Sequence, residues 1–234
     1  MAKPAIDSDA FVAIIPCFNA GARIRPVVEG VCAALARVIV VDDGSTDGAV
    51  EGLSDLPIQV VRLEPNRGKG HAILAGIRAA LEDPAAQAVL LLDADGQHDP
   101  AEIPRFTEAY LAESPDLIIG RRVFDKSHVP LRSRFGNKVT VAVTAWLLGQ
   151  RLPDTQCGYR LLSRAFAEAV CSTVRGGRYE TEMEIIIKAV REGYQVTSIP
   201  IETIYEPGNA SSHFRKVQDS IRIYRRLFGA ALRR

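Results

Sequence analysis

Apolar and polar positions fall in blocks along the first half of this chain. Short apolar runs occupy Phe11–Phe18, Arg37–Asp43, Ile58–Glu64, Ala88–Asp95 and Asp116–Arg122. Each ends in polar residues, as strands of a buried parallel sheet do. Between them, apolar residues recur at helical spacing over roughly Ala22–Ala36, Asp47–Leu53, Gly70–Glu82 and Pro100–Ala112. Such alternation predicts an α/β fold with a mostly parallel, Rossmann-like sheet flanked by helices on both faces. The second half is less regular. Leu131–Leu148 reads as a helix, basic in its first turns and apolar afterwards, and Asp154–Leu162 as a turn with a short strand. Ser163–Thr173 and Arg178–Arg191 read as helices and Val196–Tyr205 as extended. A last helix, Phe214–Ala231, aligns Phe214, Val217, Ile221, Tyr224, Phe228 and Ala231 in one apolar stripe. The expected division is a catalytic domain over 1–212 followed by an amphipathic helix over 213–234.

Polar, ligand-like groups follow each predicted strand: Asn19, then Asp42-Asp43, Asn66, Asp93-Ala94-Asp95 and Arg121-Arg122. In an open α/β sheet these ends line the ligand crevice. The sharpest signal is AVLLLDADGQHDP over Ala88–Pro100, where a buried strand runs into two carboxylates one residue apart. Asp93 and Asp95 repel each other unless a cation lies between them, and oxygen-only donors suit Mg2+ or Mn2+ with positions left for substrate phosphates. The competing reading is an acidic cap for the next helix. Asp99, Pro100 and Glu102 already supply that cap, which leaves Asp93 and Asp95 for a metal. Asn66 and Lys69 precede a helix N-terminus and read either as caps or as phosphate contacts. The GxGxxG fingerprint, the P-loop and zinc-type histidine spacing are all lacking. His71, His98 and His128 therefore read as solvent-facing or locally bonded.

A net charge of +1 hides an asymmetry. From His213 to Arg234, seven Lys or Arg stand against one acid, Asp219, and a second basic cluster runs from Arg121 through Arg134 to Lys138. Two basic patches on an otherwise acidic body imply an anionic partner. The tail reads equally as a helix lying on an anionic membrane surface or as a helix docked on the core. Interleaved apolar and basic residues without a stacking platform argue against nucleic acid. Four cysteines without CxxC spacing point to a reducing cytoplasm. The start, MAKPAIDSDA, carries no apolar leader pattern. The expected location is cytoplasmic and peripherally membrane-associated.

The ordered set IPCFN (Ile15–Asn19), VVDDGSTDG (Val40–Gly48), NRGKGHA (Asn66–Ala72), DADGQHDP (Asp93–Pro100), GRR (Gly120–Arg122), RFGN (Arg134–Asn137) and DTQCGYRLLSR (Asp154–Arg164) closely resembles family 2 glycosyltransferases. Within them it resembles the dolichol-phosphate mannosyltransferase branch. The resemblance implies a GT-A fold, a GDP- or UDP-hexose donor, inversion at the anomeric carbon and a polyprenyl (dolichyl or undecaprenyl) phosphate acceptor. By position it implies donor contacts from Pro16, Phe18, Asn19, Val41, Asp43, Asp93 and Ala94. It places the metal on Asp95 and Gln97, and the acceptor phosphate on Arg121 or Arg122 with Arg134. Two departures stand out. Ala20 replaces the family's usual Glu, and Glu206 and His213 fall where the mannosyltransferases carry an Arg and a Lys. The donor base therefore stays open.

The residues themselves extend this picture. A phosphate monoester is already anionic at pH 7 and needs positive groups rather than a base; a hydroxyl acceptor would need a base. Glu182 is the candidate base, on one helical face with Ile185, Ile186 and Ala189, and an ion pair with Arg160 is the equal alternative. Asp154 and Gln156 read as acceptor-side residues. Lys69 and His213 read as donor diphosphate contacts, His213 equally as an ordinary surface residue. The expected catalytic set is Asp93, Asp95, Arg134 and Glu182. Rival functions are transfer to a hydroxyl acceptor in polysaccharide synthesis, and non-catalytic NDP-sugar binding. A homo-oligomer or a separate membrane partner is compatible with all three.

Overall fold

The computed structural model describes residues 8–123, 145, 149, 152, 154–202 and 204. Several expectations lie outside these residues: the helix Leu131–Leu148, the site residues Arg134 and His213, and the whole segment 213–234.

Among the described residues, seven strands form one sheet: β1 (Phe11–Cys17), β2 (Arg37–Asp42), β3 (Gln59–Arg62), β4 (Ala88–Leu91), β5 (Leu117–Arg122), β6 (Arg160–Ser163) and β7 (Val196–Ile201). The order across the sheet is β3-β2-β1-β4-β6-β5-β7. β1 pairs in parallel with β2, Cys17 opposite Asp42, and with β4, Ile14 opposite Leu91. The chain therefore builds outward from β1 in one direction, then returns to its other side with β4. That reversal creates a crevice at the carboxyl ends of β1 and β4.

One topological feature departs from the sequence reading. β6 runs antiparallel between β4 and β5, with Leu91 opposite Arg160 and Ile119 opposite Arg160 on its other side. The fourth and fifth strands are thus not neighbours. β6 is fully buried and carries an arginine at its first position; the short strand expected within Asp154–Leu162 is present, and its antiparallel place between β4 and β5 is what the apolar runs did not reveal.

Among the described residues, five helices cover the sheet: α1 (Ile24–Ala34), α2 (Lys69–Leu81), α3 (Ile103–Glu113), α4 (Arg164–Thr173) and α5 (Glu180–Arg191). α1 contacts α3, and α2 contacts α4 and α5, giving two helical layers. The Asp99 cap is present: its Oδ1 accepts from the Ala101 N–H at 2.9 Å and Pro100 follows. Ser163 caps α4 in the same way through the Phe166 N–H. The helix expected over Asp47–Leu53 shrinks to a 3-10 turn, Glu51–Leu53. Asp47 Oδ1 accepts the Ala49 N–H at 3.1 Å and Gly48 takes φ +71°, so a local side-chain bond replaces the helical one. β3 is an exposed edge strand rather than a buried one. No helix among the described residues is long and apolar enough to cross a membrane.

Candidate active site

A cavity of about 630 Å³ opens at the carboxyl edge of β1, β2 and β4. It collects most of the residues expected from sequence. Pro16, Phe18 and Asn19 enter from the end of β1, Asp43 from β2 and Lys69 from the start of α2. Asp93, Ala94, Asp95 and Gln97 enter from β4, and Arg122, Gln156 and Glu182 from the far wall.

The nucleotide-side wall is built from loops that bond to one another. Asn19 sits at φ +48°, and its Oδ1 accepts the Thr46 N–H at 2.8 Å while its own N–H reaches Ser45 Oγ. Asp43 is buried, and its two oxygens accept the Arg67 and Gly68 N–H groups at 2.8 and 2.7 Å. It thereby fixes the approach to α2. The cap reading for Asn66 and Lys69 does not hold. The N-cap position is Gly68, without a side-chain cap bond, and Asn66 Nδ2 donates to the Asp43 carbonyl. Val41 is brought to no part of the cavity; its side chain is buried in β2 within the core.

The paired acids differ sharply in environment. Burial would raise the Asp93 carboxyl, but the Lys69 ammonium 2.7 Å from its Oδ1 holds it below the ordinary range. Asp95 goes the other way, pushed up to about 6 by burial and by the charge of Asp93. Its Oδ1 accepts only a backbone donor among the bonds resolved for it, the Gln97 N–H at 3.0 Å. An acid so short of positive charge, beside a second acid and an amide side chain, suits a hard divalent ion. Among the described residues no group of three or more His, Cys, Asp or Glu forms a metal cage. The remaining positions would come from phosphate oxygens and water, as Mg2+ prefers.

Of the two readings offered for His98, solvent-facing or locally bonded, the structure shows the second. It is buried, its Nδ1 accepts the Asp93 N–H at 3.2 Å, and its ring lies 5.1 Å from that of Tyr159. Nε2 stands 3.8 Å from Cys157 Sγ. Burial pushes its pKa down to about 4, so the neutral ring holds the turn carrying the acids. Its position two residues before Pro100, inside a motif leaving a buried strand, was the signal available in sequence.

On the far wall, Asp154 is almost wholly buried and accepts from Arg122 Nε at 2.7 Å and Nη2 at 3.1 Å. Asp154 itself does not line the cavity; it reaches it through Arg122. Arg121 is exposed and lies outside the lining. Arg160, left undecided by sequence, is fully buried. It donates to the carbonyls of Cys157, Glu182 and Thr155 at 2.9, 2.6 and 3.2 Å. It ties the 155–157 turn to α5 and does not pair with the Glu182 carboxylate, whose resolved partner is Lys69 at 3.2 Å. Arg23, Arg178, Thr155 and Tyr179 also line the cavity. Arg23 ends the short 3-10 turn before α1, Thr155 lies in the turn before β6, and Arg178 and Tyr179 directly precede α5, where a helical pattern says nothing of a ligand role.

The sequence matches the family model for "Glycosyl transferase family 2" over residues 12–171. It is 29% identical over 213 residues to the UDP-N-acetylglucosamine–dolichyl-phosphate N-acetylglucosaminyltransferase of Methanococcus voltae, covering 82% of this chain and 84% of that protein. It is 31% identical over 201 residues to the polyprenol monophosphomannose synthase of Mycolicibacterium smegmatis, covering 80% and 75%. Its fold superposes on glucosyl-3-phosphoglycerate synthase from Mycobacterium tuberculosis, solved with Mn2+, UDP and glucosyl-3-phosphoglycerate. There the TM-score is 0.71 at 16% identity, covering 99% of this chain and 85% of that one. With the motifs converging on one crevice of a GT-A sheet and the family model spanning most of the chain, the protein belongs to glycosyl transferase family 2, and it is a glycosyltransferase.

Proposed function

We propose that this enzyme transfers a hexosyl group, with inversion, from a GDP- or UDP-hexose to a polyprenyl phosphate at a membrane surface. One observation carries the reading: a single cavity sets Asp93, Asp95 and Gln97 against a wall bearing Arg122. Relatives named for transfer to dolichyl or polyprenyl phosphate support it.

Asp95 and Gln97 would hold Mg2+ or Mn2+, with Asp93 beside them. When bound, the ion would act as a Lewis acid on the donor diphosphate, offsetting the charge that develops as the nucleotide departs. The protein residues do the rest. Pro16, Phe18, Asn19 and Asp43 form the nucleotide wall, and Asp93 with Ala94 faces the sugar. Arg122, with Arg134, holds the acceptor phosphate in line, arginine's planar fork matching phosphate oxygens. Asp154 and Gln156 shape that side, Asp154 by aligning the Arg122 guanidinium. The phosphate attacks as an anion, so no proton need be removed. Glu182, the base that a hydroxyl acceptor would require, is engaged by Lys69. The basic, apolar-striped segment 213–234 would hold the enzyme on anionic lipid.

The test is transfer from a panel of labelled NDP-hexoses, with Mn2+ or Mg2+, to undecaprenyl and dolichyl phosphate. Label should pass to the lipid phosphate and not to the parent polyprenols. Transfer only to free sugar hydroxyls would overturn the proposal.

A further inference from the structure

Lys69 Nζ stands 2.7 Å from Asp93 Oδ1 and 3.2 Å from Glu182 Oε2. One ammonium at the start of α2 thus joins the tip of β4 to the first turn of α5. We propose that Lys69 is a positioning residue: anchored on Glu182, it fixes the Asp93 carboxylate in one orientation toward the donor and does not itself grip the diphosphate. The inference rests on the donor-binding reading above and deepens it.

Three features pin the lysine before any ligand arrives. The chain enters α2 through Gly68 at φ +101°, where a Cβ would come 2.7 Å from the Gly177 carbonyl oxygen. The Gly70 N–H donates to that same carbonyl at 3.0 Å, and a Cβ on Gly70 would collide with Thr181 of α5. The start of α2 is therefore clamped against the start of α5, with Lys69 between. Its ammonium also lies 5.5 Å from the centre of the Tyr179 ring, within cation–π range. Burial alone would lower its pKa; the charges of Asp93 and Glu182 more than offset this and keep it protonated.

Asp93 is held from its other sides as well. Its backbone N–H bonds to His98, and Oδ2 faces Gly158, where a Cβ would come within 2.6 Å of it. Each neighbour thus restricts one degree of freedom, and Lys69 sets the remaining rotation of the carboxylate. Glu182 serves as a fixed counter-charge in this arrangement and takes no proton from the acceptor.

The full chain carrying Lys69→Gln, Lys69→Arg, Glu182→Gln or the double change Lys69→Gln/Glu182→Gln tests this. Nucleotide affinity is read by calorimetry with UDP and with GDP, each with Mn2+; turnover is read at saturating donor. Lys69→Gln should lower kcat about 100-fold, the cost of a misplaced reacting group, while nucleotide Kd moves less than about threefold. Lys69→Arg should recover at least about tenfold of that loss. Glu182→Gln should cost less than about tenfold, because the 2.7 Å pair survives, and the double variant should be no worse than Lys69→Gln alone. A Kd raised more than about tenfold with kcat preserved would make Lys69 a diphosphate contact instead. Glu182→Gln as damaging as Lys69→Gln would give Glu182 a chemical role and overturn the proposal. Should Lys69→Gln not fold, the Lys69→Arg and Glu182→Gln results decide alone. If the wild-type enzyme transfers to no polyprenyl phosphate, the function above fails separately. Nucleotide Kd and the metal-free melting temperature then judge the clamp: an unchanged Kd with a fall above about 4 °C supports it, and either alternative overturns it.

Discussion

Arg122 and Asp154 form a two-point ion pair, Nε to Oδ2 at 2.7 Å and Nη2 to Oδ1 at 3.1 Å, with the carboxylate almost wholly buried. The pair ties the end of β5 to the turn before β6, across the far wall of the cavity. Asp154→Asn should destabilise the protein by about 2 kcal/mol, less than the ~3–5 kcal/mol of a fully buried pair, because Arg122 can reach water. Thermal unfolding should show this as a fall of about 4–8 °C. The same change should raise the acceptor KM and leave nucleotide affinity unchanged. An unaltered acceptor KM would detach this pair from acceptor binding.

Arg160 carries a different kind of load. Fully buried, it satisfies three carbonyls from two segments. Arg160→Met would leave all three without that donor, at about 1–3 kcal/mol each. Urea titration should show a loss of at least about 3 kcal/mol, with the 155–157 turn more open to proteolysis.

Much of this fold was legible because β1, β2 and β4 are unbroken apolar runs ending in polar residues. Their order and their carboxyl-end chemistry followed directly, and Asp93, Asp95 and Gln97 do line one crevice. β6 was not legible as an inserted antiparallel strand. Four residues opening on an arginine carry no periodicity, and the bonds that make Arg160 tolerable come from α5 and the preceding turn. The cap reading of Lys69 failed for a similar reason. From sequence a lysine at a helix start meets either its own helix or a ligand; its actual partners, Asp93 and Glu182, lie 24 and 113 positions away along the chain. For His98 the choice between solvent and a local bond was not legible, because its partner is the backbone of Asp93, which no side-chain pattern reveals.

The buried thiols give a pH dependence with a definite sign. Burial pushes Cys17 up to about 11 and Cys157 up to about 12, from an ordinary thiol value near 9. Above that ordinary value the unfolded chain loses these protons while the folded chain keeps them. Their contribution to stability is thus complete below about pH 9 and is lost as pH rises through about 11 and 12. Melting temperature should fall over this window, and Cys17→Ser should flatten the first part of the fall. At pH 8, iodoacetamide followed by peptide mass spectrometry should find Cys17 and Cys157 unmodified in the native protein. Rapid labelling of either would contradict their burial.

Segment 213–234 provides a separable prediction. Removing it should abolish co-sedimentation with anionic vesicles while leaving Mn2+-dependent nucleotide binding intact. Equal sedimentation of the full and shortened chains would remove the membrane role from this segment.

The most direct test of the whole account is the position of a divalent ion in crystals grown with MnCl2 and the nucleoside diphosphate that binds. Anomalous scattering should place manganese against Asp95 and Gln97, touching the diphosphate, and Asp95→Asn should erase the peak. Manganese found elsewhere, or a diphosphate seated away from these acids, would contradict it.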